Sequence, residues 1–192
     1  MHLERYKKKG DAFLHHIIVL DEAWAQAYEP EIKQQWCHYR SPRETKVRQN
    51  PSNANVMVIF AYDSAGIILT HAVPQHRTVT GQYCADFLEH HLHHALQKKR
   101  PHFLGEKTPI ILHNNARPHV ADVVNQLLAR WQWEVLYHPP NSPDISPCDF
   151  DLIPKVKEPL CGRHFKTIPD IIDAVGRSVH TINKTGAAKG IM

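Results

Sequence analysis

The alternation of apolar and polar positions along the chain predicts strands separated by helices. Apolar runs bounded by polar or turn residues predict strands at residues 13–20, 55–62, 67–73, 109–112 and 133–137. A turn at residues 63–66 joins the second and third runs, so these two runs predict a β-hairpin.

Polar and proline residues mark where the predicted helices begin and end. Thr80 can cap a helix that Pro101 stops, and a second helix follows Pro118. The last helical patterns begin near Pro147 and Pro169. The order of strand, long loop, hairpin, helix, strand, helix, strand, helix, helix predicts one α/β domain, a mixed sheet flanked by helices on both faces.

We expect this domain to span residues 1–182. Residues 183–192 are rich in Gly, Ala and Lys without periodicity, so we expect them to form a frayed tail. Residues 30–55 are polar and contain three prolines, which predicts a long loop. A loop of that length inside a compact domain is more often functional than idle.

Composition narrows the class of protein. The 192-residue chain is 42% apolar and 22% charged, which is typical of a globular protein. Its apolar runs fall short of the roughly 18 to 20 residues of a membrane span, and no signal-peptide cleavage site follows its charged N-terminus. The four cysteines form no CxxC pair, which indicates a reducing compartment rather than a disulfide scaffold or a zinc finger. A net charge of +4 is compatible with a nucleic-acid partner.

Three oxygen-bearing side chains fall where an α/β domain places its active site. Asp21 ends the first predicted strand, Asn114 follows the fourth, and Asp149 opens the helix after the fifth. Ligands collect at the carboxyl ends of strands in open α/β sheets. Carboxylates that converge there can hold a pair of Mg²⁺ ions for phosphodiester cleavage.

The same residues also have purely structural interpretations. Ser146, Pro147 and Asp149 fit the capping box of a helix N-terminus. Asp21 fits an ordinary turn at a strand end, and Asn114 is a residue type that turns favour. The residue types and their spacing leave both interpretations open.

Several motifs, in order, resemble the catalytic domain of mariner-type transposases. They are residues 21–24 (Asp-Glu-Ala-Trp), 41–43, 98–101, 113–119, 138–150, 154–157 and 162–165. Thirty-four residues lie between Asn114 and Asp149, as in the mariner acidic triad, and the resemblance spans roughly residues 3–180. It implies an RNase H-like fold and a dimeric enzyme that cuts and rejoins DNA at transposon ends with Mg²⁺ or Mn²⁺.

The resemblance also implies roles for individual residues. Asp21 and Asp149 would be catalytic metal ligands, with Asn114 at the second position of the triad. Six residues would bind DNA, and those of the long loop would contact the transposon end or the partner subunit: Arg40, Arg43, Lys46, Arg48, Arg117 and His119. The implied partners are DNA and a second subunit, either a copy of this chain or a related transposase. No membrane and no small-molecule cofactor is implied, and the expected location is the nucleus, or the cytoplasm without import, but not outside the cell.

The chain departs from the family pattern in four ways. Asn114 replaces an aspartate, which removes a charge from a site that must neutralise divalent cations and is expected to weaken metal binding and catalysis. Asn141 replaces the usual Tyr of the Ser-Pro-Asp motif. The helix-turn-helix modules that precede this domain in transposases are not expected, and the glycine-containing tail replaces a Trp-rich helix.

These departures leave several functions open. The leading hypothesis is a transposase-derived DNA-binding and nuclease-type domain with impaired chemistry. The alternatives are a non-catalytic nucleic-acid-binding or dimerisation module and a non-functional transposon relic. A minor alternative is a transition-metal site at His90 and His94, which share one face of a predicted helix. The competing interpretation is that this face is exposed to solvent and binds no metal.

Overall fold

A five-stranded mixed sheet organises the residues that the computed structural model describes, which are 2–29, 54–105, 108–139 and 142–191. The strand order is β3-β2-β1-β4-β5. The strands are β1 (Ile17–Gln26), β2 (Asn55–Asp63), β3 (Gly66–Ala72), β4 (Ile110–Leu112) and β5 (Glu134–Val135).

Antiparallel pairing on one side of β1 and parallel pairing on the other make the sheet mixed. β1 pairs antiparallel with β2, which forms the predicted hairpin with β3. β4 runs parallel to both β1 and β5, as expected for strands that helices connect. The parallel pairing of β1 with β4 ends at Val19 and Leu112.

Two short helices that the sequence does not predict precede β1, and the helices after β3 lie near the predicted places. The helices are α1 (His2–Lys9), α2 (Asp11–Leu14), α3 (Gly81–Asp86), α4 (His93–Lys99), α5 (Asp122–Arg130), α6 (Ile153–Lys157) and α7 (Ile168–Thr185). A π-helical segment, Phe87–Leu92, joins α3 to α4, and a second one, Cys148–Leu152, leads into α6. The Thr80 hydroxyl accepts the Tyr83 backbone N–H at 3.2 Å, so the predicted cap of α3 is confirmed. None of the helices within the described ranges is long and apolar enough to cross a membrane.

Both faces of the sheet are buried, because successive residues of β1 point to opposite sides. Ile17 and Val19 belong to an apolar cluster that contains residues of α6 and α7. Ile18 and Leu20 belong to a second cluster that contains residues of α3 and α5. The predicted α/β class with helices on both faces is therefore confirmed.

The first strand differs from its predicted bounds at both ends. Residues Asp11–Leu14 form α2, and β1 then extends to Gln26 rather than ending at Asp21. The extension follows from tertiary pairing, because β2 supplies an antiparallel partner for β1 as far as Gln26. Asp21 is therefore an interior residue of β1, although it lies beyond the end of β4.

The C-terminal segment packs against the domain, which differs from the expected frayed tail. α7 continues through residues 183–185 to Thr185, and Gly186 ends it in the left-handed conformation at φ 65°. The side chains of Ala188 and Ile191 are buried in the α6–α7 cluster. Asp151 anchors the segment by accepting the backbone N–H groups of Lys189 and Gly190, each at 3.0 Å.

We predict that Asp151→Ala destabilises the domain by about 2 kcal/mol, because it removes hydrogen bonds to a charged acceptor. The melting temperature should fall by about 4 to 8 °C at this chain length. The exposed Asp173→Ala on α7 is the matched control and should change it by less than about 2 °C. Equal melting temperatures for the two variants would contradict an anchoring role for Asp151.

Candidate functional site

Asp21 and Asn114 occupy equivalent places beyond the parallel pair of β1 and β4. Each lies two residues past the last paired residues, Val19 and Leu112. Neighbouring strands are about 4.8 Å apart, so this equal offset sets the two side chains against each other. The Asn114 Nδ2 donates to Asp21 Oδ1 at 3.2 Å.

Asp21 is buried and accepts hydrogen bonds through both carboxylate oxygens. Its side chain points to the α6–α7 side of the sheet, as Val19 and Ala23 do. Oδ1 accepts the Glu22 backbone N–H at 2.9 Å in addition to the Asn114 amide. Oδ2 accepts the Ser146 hydroxyl at 3.2 Å. The three donors lie in β1, in the loop after β4 and in the turn before Asp149.

Ser146 connects Asp21 to Asp149. Its hydroxyl oxygen accepts the Asp149 backbone N–H at 3.4 Å while the hydroxyl hydrogen is donated to Asp21. Asp149 lies in the π-helical segment Cys148–Leu152. The helix-capping interpretation and the converging-site interpretation therefore both describe this turn.

The surroundings of Asp21 raise the pKa of its carboxyl group. Burial and the negative charges of Asp149 and Glu22 together raise the pKa of Asp21 to about 6, although hydrogen bonds from the Glu22 backbone and the Ser146 hydroxyl oppose the shift. Burial, together with the charges of Asp21 and Asp149, also raises the pKa of the Cys148 thiol. The contact that links Asp21 to Asp149 is the Ser146 hydroxyl, which donates to the Asp21 carboxylate and accepts the Asp149 backbone N–H.

Glu22 takes part in a second network on the opposite face of β1. The His119 Nε2 lies 3.1 Å from Glu22 Oε1, and its Nδ1 lies 3.7 Å from the sulfur of Cys84. Burial lowers the pKa of His119, but the contacts with Cys84 and Glu22 outweigh that effect and raise it to about 10. A buried imidazolium–carboxylate pair therefore joins the loop after β4 to β1.

His119 does not occupy the place that the sequence analysis predicts. It is buried, and both ring nitrogens contact protein groups, so it presents no free nitrogen to a DNA phosphate. Arg117, two residues earlier, is exposed, and its contact with DNA stays a prediction. The other predicted DNA-binding residues, Arg40, Arg43, Lys46 and Arg48, lie outside the described residues, as does Asn141.

Two histidines near the site were missed by the sequence analysis. His113 donates its Nδ1–H to the Asn114 carbonyl oxygen at 2.6 Å, and burial lowers its pKa. His138 is buried at the end of the fifth strand region, and its backbone carbonyl accepts a hydrogen bond from the Asn115 amide. The only signal for them is their position, since each directly follows a predicted strand. The His138 carbonyl joins the segment after β5 to the loop after β4.

Sequence comparison identifies the family to which these features belong. A family model described as "Transposase (partial DDE domain)" matches residues 28–105. The Mariner Mos1 transposase of Drosophila mauritiana is 32% identical over 171 residues, covering 88% of this chain and 48% of that protein. The human histone-lysine N-methyltransferase SETMAR is 28% identical over 185 residues, covering 96% of this chain and 27% of that protein. The chain thus spans about half or less of the curated relatives it matches.

Structure comparison gives the same family. The Mos1 paired end complex with Mn matches with a TM-score of 0.83 at 29% identity, over 99% of this chain and 55% of that chain. The Mos1 catalytic domain matches with a TM-score of 0.71 at 25% identity, over 98% of this chain and 89% of that chain. This is a mariner-type transposase catalytic domain. The RNase H-like fold that the sequence motifs imply is thereby confirmed.

Divalent metal ions belong to the chemistry of this family. Structures of the Mos1 catalytic domain with Raltegravir contain Mg or Mn. In the present mariner-type domain the oxygen of the Asn114 amide accepts the Ala116 backbone N–H at 3.1 Å, and its NH₂ group faces Asp21. Across the described ranges no group of three His, Cys, Asp or Glu residues could hold a metal ion, and this applies to His90 and His94 as well. The donor set as arranged does not fit a site for two divalent cations.

We predict that the Glu22–His119 pair makes the stability of this mariner-type domain pH-dependent. The folded-state pKa of His119 is raised to about 10 from 6.5, so its stabilisation is complete below pH 6.5 and is lost as the pH rises through about 10. Urea unfolding between pH 6.5 and 10 should show a loss of about 2 kcal/mol, typical of a hydrogen bond to a charged group.

Two variants separate this pair from other titrating groups. Glu22→Gln removes the carboxylate charge, and its stability should change little over the same pH range. Glu89→Gln removes an exposed ion pair with Arg130 and should retain the pH dependence of the unaltered chain. If Glu22→Gln and the unaltered chain lose stability in parallel, another group is responsible.

Proposed function

We propose that this chain is a transposase-derived domain that acts on DNA, and that the family reaction, Mg²⁺-dependent DNA strand cleavage and transfer, is impaired in it. The observation that carries the proposal is the meeting of Asp21, Asn114 and the Ser146–Asp149 turn at one edge of the sheet. Asp21, Asn114 and Asp149 are the proposed catalytic and metal-ligating positions. Asn114 is the reason for the impairment, because a neutral amide contributes no charge toward a divalent cation.

The basic residues supply the proposed contacts with DNA. Arg117 is exposed three residues after Asn114, and the long loop contributes Arg40, Arg43, Lys46 and Arg48. Cationic side chains attract the phosphate backbone without reading its sequence. DNA is therefore the proposed partner, and the paired-end and strand transfer complexes of the Mos1 relative support this proposal. We further propose that the chain pairs with a second copy or with a related transposase, and that it acts in the nucleus.

A non-catalytic nucleic-acid-binding module is the second candidate function. It is favoured by the hydrogen bond from the Asn114 amide to Asp21, because this contact stabilises the site without a cation. The two candidate functions differ in whether the activity on DNA requires metal ions and Asp21. DNA binding by a non-catalytic module persists in EDTA and is unaffected by Asp21→Ala, whereas strand cleavage requires both metal and Asp21.

We predict that Arg117→Gln weakens binding of a labelled DNA duplex about threefold to tenfold, because it removes a phosphate contact. The slope of log affinity against log salt should fall by about 1. Fluorescence anisotropy over a range of salt concentrations in EDTA measures both quantities. Arg130→Gln is the matched control, because Arg130 on α5 is paired with Glu89 at 2.6 Å. A larger effect of Arg130→Gln than of Arg117→Gln would contradict the proposed DNA surface.

We predict that the chain nicks supercoiled plasmid DNA in Mg²⁺ or Mn²⁺ at least about 100-fold more slowly than Asn114→Asp, a factor typical of losing a charged group from a catalytic site. Gel electrophoresis over time gives the rates, and Asp21→Ala is the inactive control. Equal rates for the unaltered chain and Asn114→Asp would show that Asn114 does not impair the reaction. Nicking that survives Asp21→Ala would place the activity elsewhere.

A further inference from the structure

The orientation of the Asn114 amide is fixed by its two neighbours. The Ala116 backbone N–H can only donate, and it lies 3.1 Å from Oδ1. The ionised Asp21 carboxylate can only accept, and its Oδ1 lies 3.2 Å from Nδ2. Rotating the amide by half a turn would set donor against donor and oxygen against oxygen. The side-chain oxygen of Asn114 therefore faces its own backbone rather than the site.

Both oxygens of the Asp21 carboxylate accept hydrogen bonds. Oδ1 receives the Glu22 backbone N–H and the Asn114 amide, and Oδ2 receives the Ser146 hydroxyl. Asn114 and Ser146 are 93 and 125 residues from Asp21 in sequence. These bonds therefore tie β1, the loop after β4 and the turn before Asp149 together. We call Asp21, Asn114 and Ser146 the carboxylate clasp.

We propose that the Asn114 amide takes the place of a cation, so that the carboxylate clasp holds the site together without divalent metal. The inference rests on the proposed function for the assignment of this site, but not for DNA binding or cleavage. A cation that binds between Asp21 Oδ1 and residue 114 would have to displace the Asn114 donor. It could not gain the Asn114 side-chain oxygen without breaking the hydrogen bond from Ala116. Binding of Mg²⁺ or Mn²⁺ therefore gives little net stabilisation to this chain.

The opposite behaviour is expected when residue 114 is an aspartate. Asn114→Asp replaces the donor with a second carboxylate at a position whose terminal atom lies 3.2 Å from Asp21. Like charges at that distance repel strongly in a buried site, and Asp149 adds to the repulsion. The metal-free variant should therefore be less stable than the unaltered chain. Divalent cations bind the folded variant in preference to the unfolded one and should restore its stability.

Thermal unfolding with and without metal tests the proposal. Circular dichroism melts are recorded for the unaltered chain and Asn114→Asp in EDTA, in millimolar MgCl₂ and in millimolar MnCl₂. In EDTA we expect Asn114→Asp to melt at least about 3 °C below the unaltered chain. Mn²⁺ should raise the melting temperature of Asn114→Asp by at least about 3 °C and that of the unaltered chain by less than about 1 °C.

Two control variants separate the clasp from general effects of charge and of losing a side chain. Asn115→Asp adds a carboxylate one residue away, where the amide contacts the His138 carbonyl rather than Asp21, and its melting temperature should not respond to metal. Asn114→Ala removes the donor without adding charge, so it should melt below the unaltered chain in EDTA and show no metal response. If Asn114→Asp does not fold in EDTA, recovery of its circular dichroism spectrum in Mn²⁺ is the expected result.

The proposal is overturned by either of two results. One is an unaltered chain that Mn²⁺ stabilises as much as Asn114→Asp. The other is an Asn114→Asp variant that is as stable as the unaltered chain in EDTA and remains insensitive to metal. Failure of DNA binding in the anisotropy experiment would remove the proposed function and leave the clasp intact, because the melts contain no DNA.

Discussion

The parallel pairing of β1 with β4 is the contact on which the site depends. It comprises three residue pairs, from Ile17 with Ile110 to Val19 with Leu112. Beyond these pairs the two chains diverge, because β1 continues along β2 while β4 gives way to a loop. Asp21 and Asn114 sit at the same distance past the last pair and meet there. A shift of one residue in this register would turn Asp21 to the other face of the sheet.

The alternation of β1 separates two polar networks that adjoin each other in sequence. Asp21 points to the α6–α7 side and joins Asn114 and Ser146, whereas Glu22 contacts His119 on the α3–α5 side. Both networks hold the loop that follows β4, one through Asn114 and the other through His119. The loop is thus fixed to β1 from both faces of the sheet, and the exposed Arg117 lies between the two attachment points in sequence.

Clustered carboxylates at a sheet edge favour metal binding at the expense of metal-free stability. Burial and the neighbouring charges of Asp149 and Glu22 already raise the pKa of Asp21. Asn114 reduces the repulsion between carboxylates in the metal-free site, because it donates a hydrogen bond to Asp21 where the family pattern has an aspartate. The same substitution that is expected to impair the chemistry therefore makes the domain easier to fold without a cation. The anchored C-terminal segment, which joins Asp151 just beyond Asp149, adds a further contact that involves no metal.

The sequence by itself determined the α/β class and the order of the elements from β1 onward, because hydrophobic periodicity is a local property of the chain. Its motifs also predicted Asp21, Asn114 and Asp149 as the candidate site. It could not determine that β1 continues past Asp21, since the partner that extends it is β2. Nor could it determine that His119 is buried against Glu22 and Cys84, or that Ala188 and Ile191 are covered. The sequence also could not determine which way the Asn114 side-chain amide points. These features depend on which distant groups meet when the chain folds, and only the tertiary structure decided them.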